Sequence, residues 1–218
     1  ELIEKLDKVP VPDYSEYFRD LDNSSTGSSV VPALLFESSR GCWWGQHSHC
    51  RFCGLNGSSL VFRHKSANRV LRELKYLTGK WKTDGIHAVD NVVYMGFFKD
   101  LFPALARRER QLSMFYEVRA NLTRDQVRLL GDAGVKSVQP GIESLSNHVL
   151  DLMSKGTTAL QNIQVLKWCK EYGVRADWNM LYGFPGETRK DDEEMLDLLP
   201  NIRFLDPPSA CGPIRLDR

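Results

Sequence analysis

Three cysteines lie close together in this sequence, in a segment rich in glycine and aromatic residues. Cys42 and Cys50 are separated by seven residues, and Cys50 and Cys53 by two. Cysteine thiolates are the usual ligands of iron–sulfur clusters, and a [4Fe–4S] cluster presents one iron at each of its four metal corners. Three thiolates would therefore leave one iron open, and an open iron can bind a small molecule through an amine and a carboxylate.

A structural zinc site is the alternative interpretation of this segment, with His47 or His49 as the fourth ligand. Closed zinc sites usually contain two pairs of closely spaced ligands, and only Cys50 and Cys53 form such a pair here. The spacing therefore favours the iron–sulfur cluster but leaves zinc open. With a cluster, both histidines are interpreted as loop residues without a ligand role.

The composition limits the classes of protein to consider. The chain has 218 residues, 42% of them hydrophobic and 26% charged, which is ordinary for one globular domain with a substantial core. A net charge of +1 offers no field that would hold a nucleic-acid backbone, so we expect no nucleic-acid partner. The basic group of Lys99, Arg107, Arg108 and Arg110 is interpreted as a solvated helix face.

The cysteine content and the hydropathy pattern bear on the cellular compartment. Five cysteines, three of them clustered, indicate a metal site in a reducing compartment rather than a disulfide framework, so we expect a cytoplasmic protein. No apolar run reaches the length of a membrane span and no signal peptide opens the chain, so we expect no membrane partner. Cys169 is interpreted as a packing residue and Cys211 as an incidental thiol.

Hydrophobic periodicity predicts an alternation of strands and helices. The predicted strands are 30–36, 86–94, 112–118, 135–139, 174–181 and, as the start of a sixth, 202–205. The predicted helices are 66–77, 97–108, 124–133, 146–153, 159–172 and 187–199. Such alternation at roughly 30-residue spacing is typical of βαβ units. It fits both a doubly wound sheet and a (β/α) barrel.

The cysteine segment resembles that of radical S-adenosylmethionine (SAM) enzymes. This superfamily binds its cluster through three cysteines after the first barrel strand, most often with three residues in the first gap, where this chain has seven. The run 37–45 (ESSRGCWWG), followed by 50–57 (CRFCGLNG), is similar to the cobalamin-dependent radical SAM C-methyltransferases that mature ribosomally made peptides. The similarity extends from about Leu6 to the final residue.

The resemblance implies an α/β fold, a partial (β/α) TIM-like barrel with five or six parallel strands that is open on one side. The cysteine loop follows the first strand, so it would lie at the C-terminal mouth of the barrel, where the active sites of such barrels lie. Residues 30–218 would form this barrel core, truncated at its C-terminus. Residues 1–29 would be a lead-in from a missing upstream domain, because prolines and the turn-like run 23–27 interrupt regular structure there.

Polar residues at the ends of the second and third strands are candidates for SAM contacts. Asp90 and Asn91 would accept hydrogen bonds from the SAM amino group, although Asn91 also suits a turn or a helix cap. Glu117 and Arg119 share one face of the third strand. Arg119 would meet the SAM carboxylate and Glu117 polar groups near it, unless the two form an ion pair that lines the barrel.

The fourth and fifth strands supply the remaining candidates. Glu143 or Ser144 would face the SAM ribose or its methionine part, with helix capping by Ser144 or Ser146 as the alternative. Asn179 is a polar residue in an otherwise apolar strand and, by the family pattern, would contact SAM. The run 183–188 is predicted to form a tight strand-to-helix turn. No catalytic side chain is assigned beyond the cluster ligands.

The resemblance also implies a reaction and its partners. A reduced cluster would cleave SAM to methionine and a 5′-deoxyadenosyl radical, which would abstract hydrogen from an unactivated carbon of a precursor peptide. The methyl group would come from cobalamin bound by a domain absent from this chain, and no Asp-x-His-x-x-Gly cobalamin signature occurs in these residues. A flavodoxin- or ferredoxin-like protein would donate the electron.

Three hypotheses for the function follow. The first is a radical SAM peptide C-methyltransferase. The second is another radical SAM reaction on a peptide, epimerisation or cross-linking, that needs no cobalamin. The third is a zinc-stabilised binding module without catalysis.

Overall fold

The computed structural model describes residues 3–54 and 59–215, so Leu55, Asn56 and Gly57 of the family-like run lie outside the described residues. The helices are α1 (Ser15–Asn23), α2 (Ala67–Trp81), α3 (Leu101–Ala106), α4 (Arg124–Asp132), α5 (Asn147–Leu152), α6 (Ala159–Glu171) and α7 (Arg189–Ile202). The strands are β1 (Ala33–Phe36), β2 (Ser39–Arg40), β3 (Arg63–His64), β4 (Gly85–Ala88), β5 (Ser113–Arg119), β6 (Val135–Gly141), β7 (Arg175–Ala176), β8 (Asn179–Tyr182) and β9 (Ala210–Pro213).

Five strands form one parallel sheet in the order β1-β4-β5-β6-β7. Helices connect successive strands of this sheet, as parallel pairing requires. The strands follow one another in chain order without the reversal that defines a doubly wound sheet. This strand order excludes the doubly wound sheet that the periodicity left open, and the architecture is the predicted partial barrel.

The wall of the barrel continues through a second parallel pair, β8 and β9. A single bridge joins Met180 of β8 to Glu143, just after β6, and the Leu181 N–H donates to the Glu143 carbonyl at 2.8 Å. The predicted strand 174–181 is therefore two short strands. The break between them lies at Asp177 and at Trp178, whose indole N–H turns away to donate to the Asp206 carbonyl at 3.1 Å.

The predicted sixth strand at 202–205 is wrong. Ile202 is the last residue of α7, and the Leu205 N–H donates to its carbonyl at 2.9 Å in the turn that follows. Ile202 and Leu198 are spaced as one helical face and both pack against the core, so the helical period persists to this point. The strand that pairs with β8 comes later, at β9.

Two other segments differ from the pattern-based expectation. The predicted strand 86–94 ends at Ala88 because the chain then turns to bury Asp90 and to place the Val93 N–H on the Glu117 carbonyl at 3.0 Å. No helix is predicted in the lead-in, yet α1 forms there. Phe18 of α1 stacks on Trp81 with ring centroids 4.5 Å apart, so this segment packs against α2.

The core lies between the sheet and the helices on its outer face. Alternate strand residues such as Ile86, Tyr116 and Val138 are buried against helical residues that include Leu74 and Val165. The intervening residues face the interior of the partial barrel, where Leu35, His87, Phe115 and Ser137 form one registered row across four strands. No helix in the described parts of the chain is long and apolar enough to cross a membrane.

Asp90, which follows β4, holds the start of the loop after β1 through hydrogen bonds. This carboxyl is 1% exposed and accepts from the Ser38 N–H at 2.7 Å and from the Ser38 hydroxyl. Burial raises the pKa of Asp90 to about 6, although the hydrogen bonds from Ser38 and Ser39 act in the opposite direction. The start of the cysteine loop is thus tied to the end of β4.

The hairpin of β2 and β3 encloses the same loop and is anchored by a buried ion pair. The Lys65 ammonium lies 2.8 Å from the Glu73 carboxylate of α2, and both side chains are almost fully buried. Arg69 adds a second contact to that carboxylate at 3.0 Å. Full pairing offsets the cost of burying these charges, so the ion pair fixes the position of the hairpin on α2.

A further buried carboxylate, Asp191, fixes the turn before α7. It accepts from the Ser146 hydroxyl at 2.6 Å, from the Thr188 hydroxyl at 2.8 Å and from the His148 ring at 3.1 Å. Burial by itself would raise the pKa of this group, but these hydrogen bonds outweigh it and hold the pKa well below its usual range. The predicted turn at 183–188 is confirmed, with left-handed backbone at Gly183 and Gly186.

The Asp191→Asn variant is expected to lose about 2 kcal/mol of unfolding free energy at neutral pH, because an amide cannot replace all of these charge-assisted hydrogen bonds. Because its folded pKa is lowered, the contribution of Asp191 is complete above about pH 5 and is lost as the pH falls toward the folded pKa. Urea unfolding at several pH values measures both effects. The control Glu193→Gln removes only an exposed pair with Arg189 and should cost less than about 0.5 kcal/mol. Equal losses in the two variants would contradict the role of Asp191.

Asp90 should produce the opposite pH dependence. Its folded pKa lies above its unfolded value, so the folded state is most favoured while the group is protonated. Raising the pH from about 4 to about 6 should lower the unfolding free energy of the wild type relative to Asp90→Asn by about 2 kcal/mol. Urea unfolding at pH steps across this window tests the effect, with the exposed Asp132→Asn as control. If the unfolding free energies of wild type and Asp90→Asn differed by the same amount at every pH, the pKa of the Asp90 carboxyl would not be raised in the folded state.

Candidate active site

The three cysteines lie on the loop that follows β1, at the mouth formed by the C-terminal ends of the strands. Glycine is required at position 41, where the loop begins, because φ is +84° and a Cβ there would lie 2.3 Å from the Val61 carbonyl oxygen. Short turns follow, with the Gln46 N–H donating to the Cys42 carbonyl at 3.1 Å. The predicted position of the loop relative to the barrel is therefore confirmed.

The donor atoms on this loop fit an iron–sulfur cluster by their chemistry. All three thiols are half-buried, and the Gly45 N–H donates to the Cys42 sulfur at 3.4 Å, the kind of contact that tunes cluster sulfurs. Within residues 3–54 and 59–215, no three His, Cys, Asp or Glu side chains already surround one point as metal ligands would. His47 and His49, the candidate fourth ligands for zinc, are both exposed.

Arg119, at the end of β5, contacts the cysteine loop. Its guanidinium lies 4.1 Å from the centre of the Trp44 ring and 5.5 Å from that of Trp43, and it donates to the Lys155 carbonyl at 2.5 Å. Burial lowers the pKa of Arg119, while the nearby thiols of Cys50 and Cys42 act in the opposite direction. These contacts were not predicted, and a contact between Arg119 and the SAM carboxylate stays a prediction.

The acidic candidates are at the mouth but are not equally accessible. Glu117 is half-buried, and its pKa is raised by burial first and then by the charges of Asp90 and Glu143. No ion pair joins Glu117 to Arg119 in the described structure, so the alternative of an ion pair lining the barrel is wrong. Asp90 is buried and bonded to Ser38, so a contact between Asp90 and SAM remains a prediction that would need this tether to open.

Glu143 has an ionic partner that the sequence did not reveal. The Lys155 ammonium lies 2.9 Å from its carboxylate and 5.3 Å from the centre of the Phe52 ring. Glu143 has a φ of +60°, which is uncommon for a residue other than glycine and often marks a functional position. The local signal for Lys155 is weak, because it lies in an irregular turn twelve residues along the chain from its partner.

The remaining candidates differ in their surroundings. Ser144 is fully buried, and its hydroxyl accepts from the Ser146 N–H at 3.1 Å. The cap of α5 is Ser146, whose hydroxyl accepts from the Val149 N–H at 3.3 Å. Asn179 is half-buried at the first position of β8. Asn91 is half-buried directly after Asp90. Their predicted contacts with SAM stay predictions.

The family model of the radical SAM superfamily matches residues 36–199. An uncharacterised methyltransferase of Pyrococcus horikoshii is 29% identical over 199 residues, which are 88% of this chain and 41% of that protein. The ribosomal protein uS12 methylthiotransferase RimO of Thermosipho melanesiensis is 23% identical over 167 residues, 71% of this chain and 39% of that protein. The chain therefore spans about two fifths of the length of these curated relatives.

Solved structures share the fold. The cobalamin-dependent S-adenosylmethionine radical enzyme OxsB, with aqua-cobalamin bound, has a TM-score of 0.74 at 22% identity, covering 95% of this chain and 31% of that one. The radical S-adenosylmethionine methyltransferase TsrM from Kitasatospora setae, with cobalamin and a [4Fe–4S] cluster bound, has a TM-score of 0.68 at 18% identity, covering 84% and 36%. The family match covers most of the chain and includes the cysteine loop and the mouth of the barrel, so the chain belongs to the radical SAM superfamily.

Proposed function

We propose that this chain is the SAM-cleaving core of an enzyme that methylates an unactivated carbon of a ribosomally made peptide. The observation that carries the proposal is the loop with Cys42, Cys50 and Cys53 at the mouth of a radical SAM barrel. Similarity to an uncharacterised methyltransferase, and the family-like runs around the cysteines, support the methyl transfer. The peptide substrate is inferred from those runs alone.

The three cysteine thiolates would hold a [4Fe–4S] cluster and leave one iron for the cofactor. When bound, the cluster supplies the electron for reductive cleavage of SAM. The loop residues supply the ligands, and the half-buried position of all three thiols limits the access of water. Superfamily membership supports this assignment over the zinc-stabilised module.

SAM would bind between the cysteine loop and the polar residues of the neighbouring loops. Asn91, Glu117 and Glu143 are half-buried at or near the C-terminal ends of their strands, and Asn179 is half-buried next to Met180, which pairs with Glu143. Their polar atoms can therefore reach a ligand in the mouth. Lys155 would orient the Glu143 carboxylate through its 2.9 Å ion pair. Asp90 and Ser144, which are buried and bonded to protein groups, would instead hold the loops that carry these residues.

The peptide would enter the interior of the partial barrel from its open side. The interior row of Leu35, His87 and Phe115 is partly exposed, and the rings of His87 and Phe115 stack with centroids 4.2 Å apart. A cavity of about 550 Å³ lies beyond this row, at the N-terminal ends of β1, β4 and β5 and therefore on the side away from the cysteine loop. An apolar and aromatic wall of this kind can accept a side chain of the peptide, while the carboxylates above it accept hydrogen bonds from the backbone.

Cobalamin would be bound by a part of the longer protein outside this chain and would carry the methyl group. OxsB and TsrM, which share the fold, are cobalamin-bound in their solved structures. A flavodoxin- or ferredoxin-like donor would supply the electron. A cluster with an open iron requires a reducing compartment, so we propose a cytoplasmic location.

Each of the variants Cys42→Ala, Cys50→Ala and Cys53→Ala is expected to abolish cluster loading and formation of 5′-deoxyadenosine, because two thiolates cannot hold the cube. Iron and sulfide analysis after anaerobic reconstitution, with chromatography of the SAM products, measures both. Cys211→Ser, which changes an exposed thiol outside the loop, is the matched control and should behave as wild type. Full activity in any of the three alanine variants would show that the ligand assignment is wrong.

The full-length protein with cobalamin, a precursor peptide and SAM labelled in its methyl group should transfer that label to a carbon of the peptide. Tandem mass spectrometry locates the label, and omission of cobalamin should stop the transfer while SAM cleavage continues. A peptide changed without gain of mass would instead identify an epimerase, and loss of two hydrogens would identify a cross-linking enzyme. Addition of a methylthio group would indicate the reaction named for RimO.

A further inference from the structure

The cysteine loop is held on one side by the turn 153–156, which follows α5. The Trp44 indole N–H donates to the Ser154 carbonyl at 3.3 Å, and the Arg51 N–H donates to the Met153 carbonyl at 3.0 Å. A Cβ on Gly156, which has a φ of +66°, would lie 2.1 Å from a carbon of the Trp44 ring. The ring of Trp44 is therefore packed directly on the backbone of the turn.

Arg119 connects this turn and the loop to the barrel wall. Its guanidinium carbon lies 4.1 Å from the centre of the Trp44 ring, and its Nη2 donates to the Lys155 carbonyl in the middle of the turn. The side chain belongs to β5, so it joins a rigid strand to two irregular segments. Its Nε is buried and has no hydrogen-bond partner in the described structure.

We infer that Arg119 is a positioning residue that clamps the cysteine loop against the turn 153–156, and that its positive charge favours the reduced state of the cluster held there. The inference rests on the proposed function, since it assumes that the cysteines hold a cluster. It also gives Arg119 a role other than contact with the SAM carboxylate.

The clamp depends on the shape of the guanidinium. A planar guanidinium stacks on an aromatic ring and donates in its own plane at the same time, which the ammonium of lysine cannot do. The Arg119 side chain is 8% exposed, so these contacts compete with few water molecules. Replacing it with lysine should therefore preserve the charge and lose the clamp.

The electrostatic effect depends on the charge alone. Reduction adds one electron to the cluster, and a fixed cation near the thiolates stabilises the added negative charge. Because the guanidinium is buried and lies over the rings of Trp43 and Trp44, the two residues that follow Cys42, salt and water screen this interaction only weakly. Removing the charge should therefore shift the reduction potential to more negative values.

Three variants of the full-length protein separate the two effects. Arg119→Met removes the charge and the clamp, Arg119→Lys removes only the clamp, and Trp44→Leu removes the aromatic partner while the charge remains. Arg128→Met changes an exposed arginine on α4 and serves as the control. The readouts are the reduction potential from titration followed by electron paramagnetic resonance without SAM, the rate of cluster loss to an iron chelator, and the Kd for SAM.

All three variants are expected to lose the cluster to the chelator about fivefold faster than wild type or more, as loss of a buried hydrogen bond and ring contact predicts. Only Arg119→Met should show the negative shift of the potential. The Kd for SAM should change less than about threefold in every loaded variant, which is a small change in binding free energy.

Several outcomes would overturn the inference. If Arg119→Lys and Trp44→Leu lost the cluster at the wild-type rate, Arg119 would not clamp the loop. If the reduction potential of Arg119→Met were unchanged, the charge of Arg119 would have no effect on the cluster. A rise of more than about tenfold in the Kd for SAM with unchanged potential would make Arg119 a SAM contact instead. If the wild type holds a cluster and cleaves SAM while the variants match it, only this inference fails. If the wild type holds no cluster, the proposed function fails with it.

Discussion

Parallel strands that follow chain order place all their following loops at one edge of the sheet, and the candidate active site depends on this constraint. The cysteine loop follows β1, Asn91 follows β4, Arg119 ends β5 and Glu143 follows β6. Residues that are remote in the sequence therefore meet at one mouth without unusual local structure in any strand. The active sites of (β/α) barrels lie at this edge for the same reason.

The loops at the mouth have little regular structure, so side chains from neighbouring loops must fix them. Asp90 holds the start of the cysteine loop through Ser38, and the turn 153–156 holds its middle through Trp44. Buried backbone groups need partners, and here many of the partners belong to the loop of another strand. The loops thus stabilise one another, which prepares the site for ligands before they bind.

The parts of the structure that local patterns control were predicted well. The apolar run before the cysteines forms β1, and the predicted helix 124–133 forms as α4, which begins with a capping box at Thr123. The predicted strand 202–205 was wrong because the helical face of α7 continues to Ile202 in contact with the core. The lead-in helix α1 was missed because its main contact, the stacking of Phe18 on Trp81, is with a residue far along the chain.

The candidate site was predicted by type of residue but not by arrangement. Arg119 was expected to face a ligand, and the structure gives it the Trp44 ring and the turn after α5 as neighbours. Lys155 was not identified, because nothing near it in sequence indicates that its ammonium meets Glu143.

The sequence by itself predicted the kind of ligand set and determined most of the order of strands and helices. Thiolate chemistry and hydrophobic periodicity are properties of short segments, so they can be read without a fold. Only the tertiary structure decided which polar groups are buried, which are paired and which face the mouth. Burial and pairing depend on distances between residues that are remote in the chain, and those distances arise only when the sheet and its helices pack together.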